Sequence, residues 1–137
     1  MRLLRFTLIL TIVLFAFSCK KDKQPAIPYV FVNEILYPNS LDFINVSGYK
    51  YINAGYRGIV IYRLSNEEFR VYERCCPYDP EKANAKIIVE ANNITAIDTV
   101  CKSRFSLVDG VPFQGPSRYS LMTYNYSYDG EKLLIYN

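Results

Sequence analysis

Short runs of β-branched and aromatic residues recur from residue 29 to the end of the chain, with turn-forming residues between them. Such runs predict strands, because these side chains pack well on a pleated sheet. No stretch keeps a sustained helical period, so the sequence predicts an all-β fold, an antiparallel sandwich or small barrel. The predicted strands include residues 29–32, 35–36, 58–63, 69–72, 87–89, 121–128 and 133–136.

Three hairpin turns are predicted between these runs, at residues 64–68, at residues 91–93 and at Asp129-Gly130. The last is the strongest signal, because Asp-Gly supplies the positive φ angles that a tight turn needs. Three tyrosines repeat with a period of two, which predicts one face of a strand. They are Tyr124, Tyr126 and Tyr128.

The first residues of the chain form a separate unit. Arg2 and Arg5 begin it, residues 6–17 are almost entirely apolar, and small residues close it. This is the layout of a secretory signal, which we assign to residues 1–18. A retained membrane-spanning helix needs about 20 apolar residues, and the charged residues 20–23 end the run too early.

Cys19 stands where bacterial lipoprotein signals place the cysteine that receives lipid. We therefore expect lipidation at Cys19, a polar lipid-anchored tether over residues 19–28 and a folded domain over residues 29–137. The protein is then expected in the bacterial cell envelope, anchored to a membrane and facing the periplasm or the cell surface. Two or more acyl chains hold a protein far more firmly than one.

Composition excludes several classes of function. Without residues 1–18 the chain keeps 14 of its 16 Lys and Arg against 13 acidic residues, a net charge of +1, so we expect no nucleic-acid partner. The chain contains no histidine, which excludes Ser-His and Cys-His catalysis, and we expect no catalytic residue. The turn carboxylates are expected to be solvated; they are Glu67, Glu68, Asp79 and Glu81.

Two cysteine loops carry the remaining chemistry. Cys75-Cys76-Pro77-Tyr78 lies in the first, and the second contains Cys101-Lys102-Ser103-Arg104-Phe105, followed by Asp109-Gly110 and Gly115-Pro116. This order resembles the Rieske iron–sulfur family, whose loops carry Cys-x-His and Cys-x-x-His. The resemblance covers residues 29–137 and implies that the loops at residues 75–81 and 98–105 meet at one tip.

The resemblance also assigns each cluster position. Cys76 matches the first-loop cysteine and Tyr78 stands where its histidine should be, while Asp98 takes the second cysteine position and Cys101 the second histidine position. Because a Rieske cluster needs two thiolates and two imidazoles, we expect a degenerate site that holds neither cluster nor metal. An altered 2Fe-2S cluster with an electron-transfer role is the alternative. Zinc bound by Asp98 and all three cysteines is disfavoured, because Cys75 and Cys76 point in opposite directions in an extended loop.

If the loops meet as the resemblance implies, Cys101 faces the first loop and can form a disulfide with Cys76, or else with Cys75. An exported protein meets an oxidising compartment, where cysteines tend to pair. Cys76 and Cys101 are 25 positions apart, so the loop-entropy model gives the link about 3 kcal/mol. The expected function is a binding or structural module with an envelope protein as its partner, and a thiol redox module is a further alternative.

Overall fold

The computed structural model describes residues 24–40 and 45–137. The predicted signal 1–18 and the lipidation site Cys19 lie outside these ranges, so both stay predictions. No helix among the described residues has the length and apolar character needed to cross a membrane.

Ten strands form the domain: β1 Asn33–Leu36, β2 Tyr49–Ile52, β3 Ile59–Arg63, β4 Phe69–Glu73, β5 Ile87–Val89, β6 Thr95–Asp98, β7 Arg104–Ser106, β8 Pro112–Gln114, β9 Asn125–Tyr128 and β10 Leu133–Tyr136. They pair antiparallel in three sheets, with the orders β1-β10-β9, β2-β3-β4 and β5-β6-β7-β8. The all-β prediction is confirmed.

Strand β3 is buried along its whole length and separates two apolar clusters. Val60 and Tyr62 pack in one cluster with side chains of β5, β6 and β7. Ile59 and Ile61 pack in the other, together with Leu133 and Ile135 of β10. Since successive side chains point to opposite faces of a strand, the sheet of β3 lies between the other two, which explains why its sequence is apolar without alternation.

The predicted first strand is wrong in position. Residues 29–32 lie outside the sheets, and the strand begins at Asn33. Asn137 holds this segment with its side chain, because its Oδ1 accepts a hydrogen bond from Val32 N at 3.1 Å and its Nδ2 donates to Val30 O at 2.7 Å. Tyr29 and Phe31 are 74% and 70% exposed, so the aromatic pattern here does not mark a sheet.

The predicted last hairpin forms between β9 and β10, but its first strand is shorter than expected. Of residues 121–128 only 125–128 belong to β9, preceded by one isolated bridge between Thr123 and Tyr72. Tyr126 and Tyr128 share a face and meet the ring of Phe69 edge-on, with centroid distances of 6.0 and 5.1 Å. Strands β2, β7 and β8 were not predicted.

We predict that Tyr72→Phe stabilises the domain by about 1 kcal/mol, because the hydroxyl of Tyr72 is buried without a hydrogen-bond partner among the described residues. Burial raises the pKa of Tyr72 from 10.0 to about 12. The unfolded state therefore loses this proton first, and stability that is constant below pH 10 falls as the pH rises toward 12.

Urea unfolding at pH 8 and pH 11 measures both effects. Tyr72→Phe should lose less stability than the native chain between these pH values, whereas Tyr136→Phe, at an exposed tyrosine, should behave like the native chain. An equal alkaline loss in Tyr72→Phe and the native chain would contradict the prediction.

Candidate functional site

The first loop, residues 75–86, connects β4 to β5 and is closed at its base. Cys75 and Lys86 form an isolated antiparallel bridge, and Cys76 N donates to Ala85 O at 3.1 Å. From outside the loop, the guanidinium of Arg57 donates to the carbonyl oxygens of Pro80, at 2.7 Å, and Ala83. The backbone that carries Cys76 is thus fixed on both sides.

A fully buried carboxylate, Glu73 at the end of β4, anchors this loop to the domain. It accepts four hydrogen bonds, from the backbone nitrogens of Tyr56, Arg57 and Cys75 at 2.8, 2.9 and 3.0 Å and from the hydroxyl of Tyr124 at 2.8 Å. Gly55 allows the approach, because a Cβ there would lie 2.5 Å from Glu73 Oε2. Desolvation and then the bond to Glu73 raise the pKa of Tyr124, which keeps it a donor.

The second loop, residues 99–103, connects β6 to β7 as a tight turn. Asp98 N donates to Ser103 O and Lys102 N donates to Asp98 O, both at 2.9 Å. The Asp98 side chain reinforces the turn by accepting from Val100 N at 2.8 Å. These bonds fold the loop back on itself and bring Cys101 over Asp98.

A third segment, residues 115–117, supports the second loop from behind. Ser117 N donates to Ser103 Oγ at 3.0 Å. Gly115 has φ of +96°, and a Cβ there would lie 2.5 Å from Ser103 Cα. This contact is backbone on backbone, so only glycine fits the position.

The two loops meet through their sulfur atoms. Cys76 Sγ lies 3.6 Å from Cys101 Sγ, and Cys101 Sγ lies 3.2 Å from Asp98 Oδ2. Together with Asp79, these residues form a group in which one donor atom of each lies within 4.8 Å of the others. Cys76, Asp79 and Asp98 are buried, and Cys101 is half-buried.

Burial is the main influence on the pKa values of the two neighbouring thiols of the first loop, Cys75 and Cys76. It raises the pKa of Cys76 far above its ordinary value, and a hydrogen bond with Asp98 raises it further. Burial also raises the pKa of Cys75 to about 11. Both thiols therefore stay protonated in the resting protein, and either becomes the reactive thiolate only when its proton is removed.

The structure therefore brings together three of the four predicted site residues, Cys76, Asp98 and Cys101. The fourth, Tyr78, is 42% exposed and outside the group. Cys75 is also outside it; its Sγ contacts Pro80 O at 3.8 Å. The group of donors therefore holds two of the three cysteines that a three-sulfur zinc site would use.

The prediction that Asp79 is a solvated turn residue is wrong. Asp79 is only 4% exposed and belongs to the group. A signal for it exists in the spacing: the first loop reads Cys76-x-x-Asp79 and the second reads Asp98-x-x-Cys101. Each loop thus supplies one sulfur and one carboxylate. Glu67 and Glu81 are exposed, as expected for solvated carboxylates.

Comparison with solved structures places the fold. The chain is similar to the ferredoxin of carbazole 1,9a-dioxygenase from Nocardioides aromaticivorans IC177, with a TM-score of 0.50, 14% identity and coverage of 74% of this chain and 96% of that one. A chain from the complex of reduced oxygenase and oxidized ferredoxin in carbazole 1,9a-dioxygenase gives a TM-score of 0.50 and 14% identity, covering 74% of this chain and 92% of that one. The fold is Rieske-like. No family model and no curated protein matches the sequence.

The Rieske-like tip carries a donor set that does not fit a Rieske cluster. That cluster binds one iron through two thiolates and the other through two imidazoles, and the chain has no histidine. Asp79 and Asp98 offer hard oxygen donors, which suit iron–sulfur clusters poorly. Four donors within 4.8 Å of one another also surround less space than two irons and their bridging sulfides require.

We predict that Glu73→Gln destabilises the domain by about 3 kcal/mol, because a neutral amide cannot replace a carboxylate that accepts four bonds. Tyr124→Phe is the graded control, since it removes one of the four donors, and we expect a loss of about 1.5 kcal/mol. Urea unfolding measures both free energies. Native-like stability of Glu73→Gln would show that the carboxylate does not hold the loop.

Proposed function

We propose that this protein is a lipid-anchored envelope protein whose Rieske-like domain acts as a binding or structural module. In this proposal the two loops are joined through Cys76 and Cys101 in place of an iron–sulfur cluster. The observation that carries it is the 3.6 Å separation of the two sulfurs. Both loops are braced independently of any bound group, by Arg57 and Glu73 on one side and by Gly115 and Ser117 on the other.

In an oxidising compartment the thiol pair closes into a disulfide by exchange. A disulfide of an envelope oxidant accepts the electron pair: its two sulfurs leave as thiols, and the bond between Cys76 Sγ and Cys101 Sγ forms. Closure requires the sulfurs to approach from 3.6 Å to about 2.05 Å. The result ties the two loops covalently at the tip, where the family would place its cluster.

A second candidate function is a thiol redox module. It is favoured by the unequal exposure of the pair, since Cys101 is half-buried while Cys76 is fully buried. Cys101 would exchange with a partner disulfide first, and Cys76 would then displace the partner from the mixed disulfide. A reduction potential near that of envelope thiol oxidoreductases distinguishes this function, because structural disulfides have lower potentials.

We predict that protein isolated from the envelope without reductant contains a Cys76–Cys101 disulfide and no stoichiometric iron or acid-labile sulfide. Non-reducing peptide mapping and metal and sulfide assays measure this. Stoichiometric iron and sulfide would instead support electron transfer by an altered cluster. A Cys75–Cys101 link would correct the partner, and three free thiols would contradict the disulfide.

We predict that Cys19→Ser moves the protein out of the membrane fraction and abolishes lipid labelling, because Cys19 is the only residue placed to receive the lipid. Ser18→Ala is the matched control, since it keeps a small residue before the cysteine and should leave both readouts unchanged. Retention of unlabelled Cys19→Ser in the membrane fraction would rule out this anchor.

A further inference from the structure

The carboxylate of Asp79 is buried without adequate partners. The residue is 4% exposed, yet Oδ1 has no hydrogen-bond partner among the described residues. Oδ2 has one ionic contact, 2.8 Å from Lys82 Nζ, and the Lys82 side chain is 57% exposed. Because burying a carboxylate without compensation is costly, this arrangement indicates a further partner for Asp79.

The surroundings of Asp79 identify the chemistry of that partner. One oxygen of Asp79 lies within 4.8 Å of a carboxylate oxygen of Asp98 and of the sulfurs of Cys76 and Cys101. All four groups bind cations when deprotonated. A cation would therefore compensate both buried carboxylates at once.

We propose that the dithiol form of the tip binds one Zn²⁺ ion through Cys76 Sγ, Cys101 Sγ and a carboxylate oxygen each from Asp79 and Asp98. The inference rests on the proposed function in one respect, because it takes the tip to be free of a two-iron cluster. It differs from the Rieske pattern in nuclearity and in the use of Asp79, which has no counterpart among the four cluster positions.

The distances agree with a tetrahedral zinc site. Sulfurs about 2.3 Å from zinc are about 3.8 Å apart in a tetrahedron, and the observed separation is 3.6 Å. A zinc-bound sulfur and oxygen are about 3.5 Å apart by the same geometry, and Cys101 Sγ lies 3.2 Å from Asp98 Oδ2. The remaining pairs, within 4.8 Å, need only small side-chain movements to close.

The donor set favours zinc over other common cations. Ca²⁺ takes six to eight oxygen ligands and Mg²⁺ needs an octahedron of oxygens, whereas this group offers two sulfurs and few oxygens. Zn²⁺ accepts thiolate and carboxylate ligands together in a four-coordinate site.

The ligands of the second loop are already oriented. Val100 N donates to Asp98 Oδ1 at 2.8 Å, which leaves Oδ2 on the side of the sulfurs. Ser103 N donates to Cys101 Sγ at 3.4 Å. Bonds of this kind hold metal ligands in position, so the second loop is arranged before a metal arrives.

The test is a titration of the full-length chain, reduced and kept anaerobic, with Zn²⁺ and with Co²⁺ as a spectroscopic probe. We expect one ion per chain, with sulfur-to-cobalt charge-transfer bands and the visible bands of tetrahedral Co²⁺. Asp79→Asn should weaken binding by more than about 100-fold, since losing a ligand exceeds the 10- to 100-fold effect of losing a second-shell partner. Cys101→Ser should remove the charge-transfer bands of one sulfur.

Two control variants make the result specific. Glu81→Gln neutralises an exposed carboxylate of the same loop and should bind like the native chain, as should Cys75→Ala, which removes the thiol outside the group. Asp79→Asn should fold at least as stably as the native chain without metal, because it removes a buried charge whose one ion pair, with the exposed Lys82, contributes little. Thermal unfolding without and with Zn²⁺ separates loss of binding from loss of folding.

Several outcomes would overturn the inference. They are no binding by the fully reduced chain, native affinity in Asp79→Asn, or loss of binding in Cys75→Ala while that variant remains folded. The oxidised chain, with Cys76 and Cys101 cross-linked, should not bind, and equal binding in both redox states would also contradict it. A chain that forms the disulfide but never binds zinc refutes only this inference, whereas stoichiometric iron and sulfide refute the proposed function.

Discussion

The carboxylate of Glu73 is the interaction on which the geometry of this domain depends. It is fully buried and gathers four donors from three parts of the chain: the turn before β3, the start of the cysteine loop and the segment before β9. Buried charge is tolerated when it is fully hydrogen-bonded. By accepting from Cys75 N, Glu73 sets the direction in which the chain enters the loop and carries Cys76 toward Cys101.

The tip combines a firm scaffold with a donor set of two thiols and two carboxylates. Its loops are positioned by backbone hydrogen bonds, by the Arg57 guanidinium and by the close approach of Gly115 to Ser103, and none of these contacts involves the donor atoms themselves. The first loop can therefore keep its place when its donors Cys76 and Asp79 change, whereas Asp98 also reinforces the turn of the second loop by accepting from Val100 N. This separation explains how a Rieske-like fold retains two facing loops around a group of two thiols and two carboxylates, and why fold alone does not assign function.

Much of the architecture was predictable because burial follows the hydrophobic pattern. The central strand β3 has four consecutive apolar residues, its partner β4 contributes Phe69, Val71 and Tyr72, and the hairpin of β9 and β10 is marked by Asp129-Gly130. The missed strands have weaker patterns: β2 is half-buried along its length, and β7 and β8 have three residues each. Tyr29 and Phe31 led to a predicted strand that does not form, because their side chains are exposed and aromatic residues favour a strand only where they pack against a sheet.

The sequence by itself determined that the domain is all-β, that two cysteine loops follow in the Rieske order and that no imidazole is present to bind a cluster. Only the tertiary structure decided which side chains face the tip. Asp79 and Tyr78 are neighbours in one polar loop, yet Asp79 is buried beside the sulfurs and Tyr78 is exposed. The physical reason is that composition fixes what a residue can bind, whereas burial and partners are set by contacts from other parts of the chain, here Arg57 with the first loop and Gly115 with the second.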